Sequence, residues 1–206
     1  MDEMVCGLPE SLVLGLEVRR KPTAKWFLAG DLAGLGRDSL RQSIATAFGR
    51  WSAVAGCTGE ETTTEQGADI VIHTVRLDGP QGVLADCMLP GPQVQVMRLD
   101  TSERWTIHAG SGVPQGKIDI VRVLTHELGH FWGIGHIGRG NLMAPTYSDS
   151  VEKPQAGDRA EMVDRYGPPL PTPPAGPSPG VDPPAEMVII GQSGKVTGRF
   201  RLERIG

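Results

Sequence analysis

Three of the five histidines in this 206-residue chain fall within one short run, His126-Glu127-Leu128-Gly129-His130-Phe131-Trp132-Gly133-Ile134-Gly135-His136. His126 and His130 are four apart, so a helix carries both imidazoles on one face, one turn from each other and converging on one ion. Glu127 sits beside them, within reach of a water on that ion without being a ligand. Gly133 can take the left-handed conformation that ends a helix and swings the chain back to deliver His136 as a third ligand. Three protein nitrogens leave a fourth tetrahedral position open, which is the catalytic zinc pattern and not the closed structural one. Five fixed residues of average usage coincide at roughly one starting point in 10⁷. Three unrelated histidines near a helix are the bland alternative, and that figure disfavours it.

The elements that must position these residues can be read coarsely. Ile118 to Phe131 reads as the helix carrying His126 and His130. Asp38 to Val54 reads as an amphipathic helix, with Leu40, Ile44, Ala47, Phe48 and Trp51 at three- and four-residue steps and Asp38 or Ser39 as N-cap. Asp158 to Tyr166 reads as a third helix, capped by Asp158 and stopped by Gly167-Pro168. Strands are expected at Lys25 to Ala29, Asp69 to Val75 and Gly82 to Leu89. A mixed sheet packed on two or three helices is the economical arrangement, an α+β fold.

Composition bounds the rest. A hydrophobic share of 39% allows one core, and an aromatic share of 5% makes it lean on Val, Ile, Leu and Ala. The formal charge of −4, with no block of like sign, argues against a nucleic-acid or membrane-surface role. No apolar run approaches the roughly 18 residues of a membrane span. The acidic start, MDEMVCGLPE, shows no signal peptide. Of the 17 prolines, 9 lie between Pro168 and Pro184, which reads as an extended spacer. The expected organisation is an N-terminal segment 1–21, a main domain 22–168, a Pro-rich linker 169–185 and a hairpin-like tail 186–206. A monomer is expected.

The histidine run resembles that of metzincin metallopeptidases, and Asn141-Leu142-Met143-Ala144-Pro145-Thr146-Tyr147 is similar to the Met-turn of the matrixins within that clan. The likeness extends over most of residues 25–168, through Asp78-Gly79-Pro80-Gln81-Gly82-Val83-Leu84-Ala85, Asp100-Thr101-Ser102-Glu103-Arg104-Trp105-Thr106 and Tyr166-Gly167-Pro168. It implies a metzincin-like catalytic domain with a twisted mixed sheet, an active-site helix and two further helices. The implied activity is zinc-dependent hydrolysis of peptide bonds in extended polypeptides, with Glu127 as general base and Met143 under the metal. Leu84 and Ala85, on an edge strand, would hold substrate from above, with Pro145 and Tyr147 below. A secreted or extracellular setting follows by the same resemblance. The alternative is a non-catalytic zinc-containing module that grips a peptide strand; an intact Glu127 favours catalysis.

Departures from the family pattern are as informative. Asp86 and Arg98 stand where two ligands of the family's structural zinc belong, and the loop between Val75 and Asp78 is short, so that zinc is expected to be absent. His73 and His108 are then ordinary histidines. One calcium site is implied, by carboxylates of Asp78, Asp100 and Glu103 and carbonyls of Gly79, Gln81 and Val83; the alternative is surface acids in turns. A second calcium site is not expected, because Pro92 to Met97 contains no carboxylate. Val5-Cys6-Gly7-Leu8-Pro9-Glu10 is similar to the family's cysteine switch, in which a thiolate fills the open zinc position and keeps the enzyme latent. A stray cysteine in a tail is the alternative. Cys57 and Cys87 read as a buried and an edge-strand thiol, with a disulfide between them left open. Arg122, four positions before His126, matches the family position that helps set the depth of the pocket for the side chain after the cleaved bond. A shallow pocket preferring Leu, Ile or Met follows, unless Arg122 turns to solvent.

Overall fold

A computed structural model describes residues 4–7, 21–88, 90, 93–110 and 112–171, and the backbone of 186–190 and 196–201. In chain order the elements are strands β1 (Val5–Cys6) and β2 (Thr23–Ala29), helix α1 (Arg37–Ser52), strands β3 (Thr58–Glu61), β4 (Ile70–Val75), β5 (Val83–Cys87), β6 (Gln95–Asp100), β7 (Trp105–Thr106) and β8 (Ile118–Asp119), helices α2 (Ile120–Phe131) and α3 (Ala156–Tyr166), and strands β9 (Glu186–Ile190) and β10 (Val196–Arg201). The chain divides into two compact units, 1–170 and 171–206. In the second, β9 and β10 pair antiparallel with Arg201 opposite Glu186.

The first unit is an α+β domain. Its main sheet has the order β1-β5-β6-β4-β2-β3, and β7 pairs with β8 in a separate two-stranded sheet. The neighbours β6, β4, β2 and β3 are all parallel, while β5 runs antiparallel to β6. Parallel strands in a covered sheet are apolar on both faces, and β4 begins with the β-branched run Ile70-Val71-Ile72, each nearly inaccessible. Helix α1 turns Leu40, Ile44, Ala47, Phe48 and Trp51 into the core, a stripe set by its 3.6-residue period. Phe48 is the centre of an aromatic cluster, stacked on Trp26 at 6.3 Å and meeting Phe131 and Trp132 edge-on. All twelve residues of α2 are buried. Such a helix is buried around its whole circumference, which is why its polar members can be held in place.

Several boundaries differ from expectation for identifiable reasons. Helix α1 starts at Arg37, and its N-cap is Gly36 at φ 73 with no side-chain cap, so neither Asp38 nor Ser39 takes that role. Helix α2 begins two residues late because Ile118 and Asp119 pair with Trp105 and Thr106; Asp119 then caps it by accepting the Val121 N–H. Helix α3 is capped by Gln155 in a capping box, with Asp158 at the N3 position instead of the N-cap. Strand β5 is not at the sheet edge, because Val5 and Cys6 pair with it in parallel, opposite Val83 and Ala85. Strands β3 and β6 escaped the coarse reading: one is the polar TGEE, the other carries Gln95, Arg98 and Asp100. Of the expected strand Gly82 to Leu89, the last residue lies outside the described residues, as do most of the Pro-rich linker and Leu8, Pro9 and Glu10.

Candidate metal centre and cleft

Helix α2 carries His126, Glu127 and His130 in its last two turns and ends at Phe131. Gly133, at φ 92, then reverses the chain, with its N–H on the His130 carbonyl at 2.9 Å and the Ile134 N–H on the Gly129 carbonyl at 2.9 Å. That reversal brings the His136 ring to 5.6 Å from His126 and 4.9 Å from His130, centroid to centroid.

Each helical imidazole is oriented by a backbone carbonyl. His126 Nδ1 donates to Leu142 at 2.8 Å, and His130 Nδ1 donates to Ile134 at 2.8 Å. The proton on Nδ1 leaves a lone pair on Nε2, and the two Nε2 atoms lie 3.1 Å apart. Burial holds both rings neutral: His126 falls to about 4, and His130 lies well below the ordinary histidine value. Cys6 joins them, its Sγ 3.4 Å from His130 Nε2 and 3.7 Å from Glu127 Oε2.

Among the described residues, Cys6, His126, His130 and His136 form the one group of His, Cys, Asp or Glu that could hold a metal, with one ligand atom from each within 4.8 Å of the others. Donors of a tetrahedral zinc with bonds of about 2.0–2.3 Å lie roughly 3.3–3.6 Å apart. The set fits that ion in chemistry, with His126–His130 at 3.1 Å and Cys6–His130 at 3.4 Å near that range and the widest pair further apart. Glu127 is 1% exposed, and burial pushes its carboxyl up to about 8, against a smaller downward pull from the Cys6 thiol. A cation among these groups reverses that pressure.

Under the histidines lies the Met-turn. Met143 is fully buried, and a Cβ on Gly129 would stand 2.2 Å from its sulfur, so only glycine lets the helix approach so closely. Asp158, reaching in from α3, accepts the N–H groups of Leu142 at 2.7 Å and Met143 at 3.0 Å. Leu142 thus passes the position of α3 on to His126 through its own carbonyl. Asp158 lies sixteen residues from Leu142 in sequence, and no local pattern announces that link.

The cleft runs between β5 and residues 145–147. Segment Met4–Gly7 lies in it: the Cys6 N–H donates to the Pro145 carbonyl at 3.1 Å, Gly7 N–H to Ala85 at 2.8 Å, and Tyr147 N–H to Met4 at 3.0 Å. A cavity of about 40 Å³ beside His126 and Glu127 is lined by Val5, Leu84, Arg122, Pro145 and Tyr147, among others. Arg122 is 2% exposed and therefore not turned to solvent; its charge meets Asp119 at 3.1 Å.

The other expected residues fall elsewhere. Asp78, Asp100 and Glu103 gather around loop 78–83, where Glu103 accepts the Gln81 N–H at 2.6 Å and Asp78 accepts that of Val83 at 3.0 Å. Gln81 has φ 67, a strained value for a non-glycine residue that these contacts maintain. Burial raises the Glu103 carboxyl, with the nearby Asp100 and Asp78 charges adding to it. At Asp100 burial is outweighed by N–H donors, chiefly Ser102, and the carboxyl sits below its ordinary value. Asp86 and Arg98 face each other across β5 and β6 as a two-point ion pair, one contact being 2.9 Å. His73 lies in β4 beside Arg98, and the His108 N–H donates to Asp119. Cys57 and Cys87 are buried without a disulfide, and burial pushes the Cys57 thiol up to about 12.

The matrixin family model matches residues 18–167, most of the chain. The chain belongs to the matrixin family. This matrixin is 32% identical over 188 residues to matrix metalloproteinase-25 of Mus musculus, covering 79% of this chain and 30% of that protein. It is 34% identical over 155 residues to the interstitial collagenase of Sus scrofa, covering 69% and 32% respectively. Matrilysin of Felis catus is 30% identical over 187 residues, 81% of this matrixin and 68% of that protein. The chain thus spans about a third of the length of the first two. No helix among its described residues is long and apolar enough to cross a membrane.

Proposed function

We propose that this matrixin is a zinc-dependent endopeptidase held latent by its own Cys6. The observation that carries the reading is the convergence of three imidazoles, a buried carboxyl and a thiol at one end of a strand-lined cleft. His126, His130 and His136 would hold zinc, which at such a site lowers the pKa of water and polarises a carbonyl. Glu127 takes the proton from the attacking water and gives it to the leaving amine. Backbone groups of Leu84 and Ala85 on one side and Pro145 to Tyr147 on the other orient an extended peptide by strand pairing. Cys6 occupies the place of that peptide, in a segment that pairs with β5 in parallel.

Three finer assignments go with it. Arg122 limits the pocket after the cleaved bond to medium apolar side chains. Asp78, Asp100 and Glu103, with carbonyls of Gly79, Gln81 and Val83, bind calcium. The Asp86–Arg98 pair takes the place of a second zinc, so the protein binds one. The natural substrate is a protein or peptide in a secreted or extracellular setting.

The test is hydrolysis of casein by the zinc-loaded protein, before and after a thiol-reactive mercurial and with a chelator. Activity that rises with thiol loss and vanishes with the chelator is expected. No hydrolysis by zinc-loaded Cys6→Ala protein would overturn the peptidase reading.

A further inference from the structure

The floor of the cleft pocket is held more firmly than a lone arginine on a helix would be. Arg122 uses all three guanidinium nitrogens: Nε donates to Asp119 Oδ2 at 3.1 Å, Nη1 to the Ser148 carbonyl at 3.4 Å and to that of Asp149, and Nη2 to the Gly110 carbonyl. Asp119 cannot follow a moving arginine. It is fully buried, and its Oδ1 is engaged by the N–H groups of Val121 at 3.2 Å and His108 at 3.3 Å.

A second ion pair grips the same two loops from the other side. Arg50, on α1, donates to the Glu152 carbonyl at 2.6 Å and to its Oε1 at 3.0 Å. Glu152 Oε2 accepts the Gly110 N–H at 3.1 Å. Gly110 is therefore fixed through its carbonyl by Arg122 and through its N–H by Glu152. Loop 148–152 is fixed at one end by Arg122 and at the other by Arg50. The two arginines, two carboxylates and Gly110 form a closed circuit joining α1, α2 and both loops under the pocket.

We propose that Asp119 and Glu152 are positioning residues that lock Arg122 as a rigid floor of this pocket, so that side chains too long for it are rejected and not accommodated. An arginine on a free stem could swing aside for a large side chain at the cost of a rotamer. Here the same movement breaks several charge-assisted hydrogen bonds and leaves Asp119 buried without its counter-ion. The proposal rests on the peptidase reading for the identity of what enters the pocket, not for the existence of the lock.

The experiment uses the zinc-loaded Cys6→Ala protein and peptides differing only in the residue after the cleaved bond: norvaline, norleucine, leucine, phenylalanine and homophenylalanine. A rigid floor gives a sharp cutoff in kcat/KM along the unbranched series; a gradual decline overturns the proposal. Glu152→Gln keeps the size of a partly exposed side chain and removes its charge. It should raise the phenylalanine-to-leucine ratio of kcat/KM roughly tenfold, mainly through KM, with the leucine peptide little changed. Asp119→Asn should do the same. A merely structural tie would lower the melting temperature and leave the ratio unaltered, and that result also overturns the proposal. If no peptide is cleaved, the peptidase reading fails; the lock is then judged by binding of the same series to zinc-loaded protein carrying both Cys6→Ala and Glu127→Ala, where the same cutoff is expected.

Discussion

Glu127 is the residue on which chemistry and structure separate most cleanly. It lies next to His126 in the chain, is buried, and stands 3.7 Å from the Cys6 sulfur. Glu127→Ala should therefore keep zinc, measured by elemental analysis, while kcat falls roughly 10²–10⁴-fold. Loss of zinc in that variant would show that the carboxylate is a ligand. Asp158 makes the opposite kind of contribution. Its carboxylate answers three backbone N–H groups, those of Leu142, Met143 and Gln155, and unpaired buried donors cost about 1–3 kcal/mol each. Asp158→Ala should lower stability by at least about 3 kcal/mol in urea titration and weaken zinc retention through Leu142 and His126. Unchanged zinc affinity would confine Asp158 to a stabilising role. The two residues also show what a sequence can reveal. Glu127 and its histidines are legible because their spacing is local, whereas Asp158 acts on Leu142 and Met143, brought near only by the fold.

Helix α2 packs on the Met-turn methionine at Gly129. A Cβ at Gly129 would lie 2.2 Å from Met143 Sδ and 3.1 Å from the Trp51 ring. Gly129→Ala should cost about 1–3 kcal/mol of overpacking and move His130 or Met143, so both melting temperature and zinc affinity should fall. A variant as stable as the parent would mean the turn can yield. Loop 78–83 gives a pH test. The folded Asp100 carboxyl is held below its ordinary value, so its contribution is present above about pH 4 and disappears as pH drops through the folded value. The wild-type advantage over Asp100→Asn in denaturant midpoint should thus be full at neutral pH and shrink on acidification, and calcium should enlarge it at neutral pH. An advantage that is constant with pH would contradict the role given to that carboxylate. Elements with strong periodicity, α1 and β4, were legible from sequence alone. Polar strands such as β3, and β1, whose pairing depends on the cleft it fills, were not.

At the scale of the whole domain, the same surface that should receive substrate receives residues 4–7 of this chain. β1 extends the sheet beyond β5, Val5 lines the pocket above Arg122, and Cys6 completes the donor set of His126, His130 and His136. Across the sheet, Asp86 and Arg98 neutralise each other, and one zinc per chain is expected by elemental analysis. The proposed latency, metal number and use of the cleft therefore all turn on one proposed coordination sphere. X-ray absorption at the zinc edge of the one-zinc protein examines it directly. The expected shell is three nitrogen donors at about 2.0–2.1 Å and one sulfur at about 2.3 Å, the sulfur being lost in Cys6→Ala protein. A shell without sulfur in the wild-type chain, or one unchanged by Cys6→Ala, would contradict the claim that Cys6 closes the zinc site.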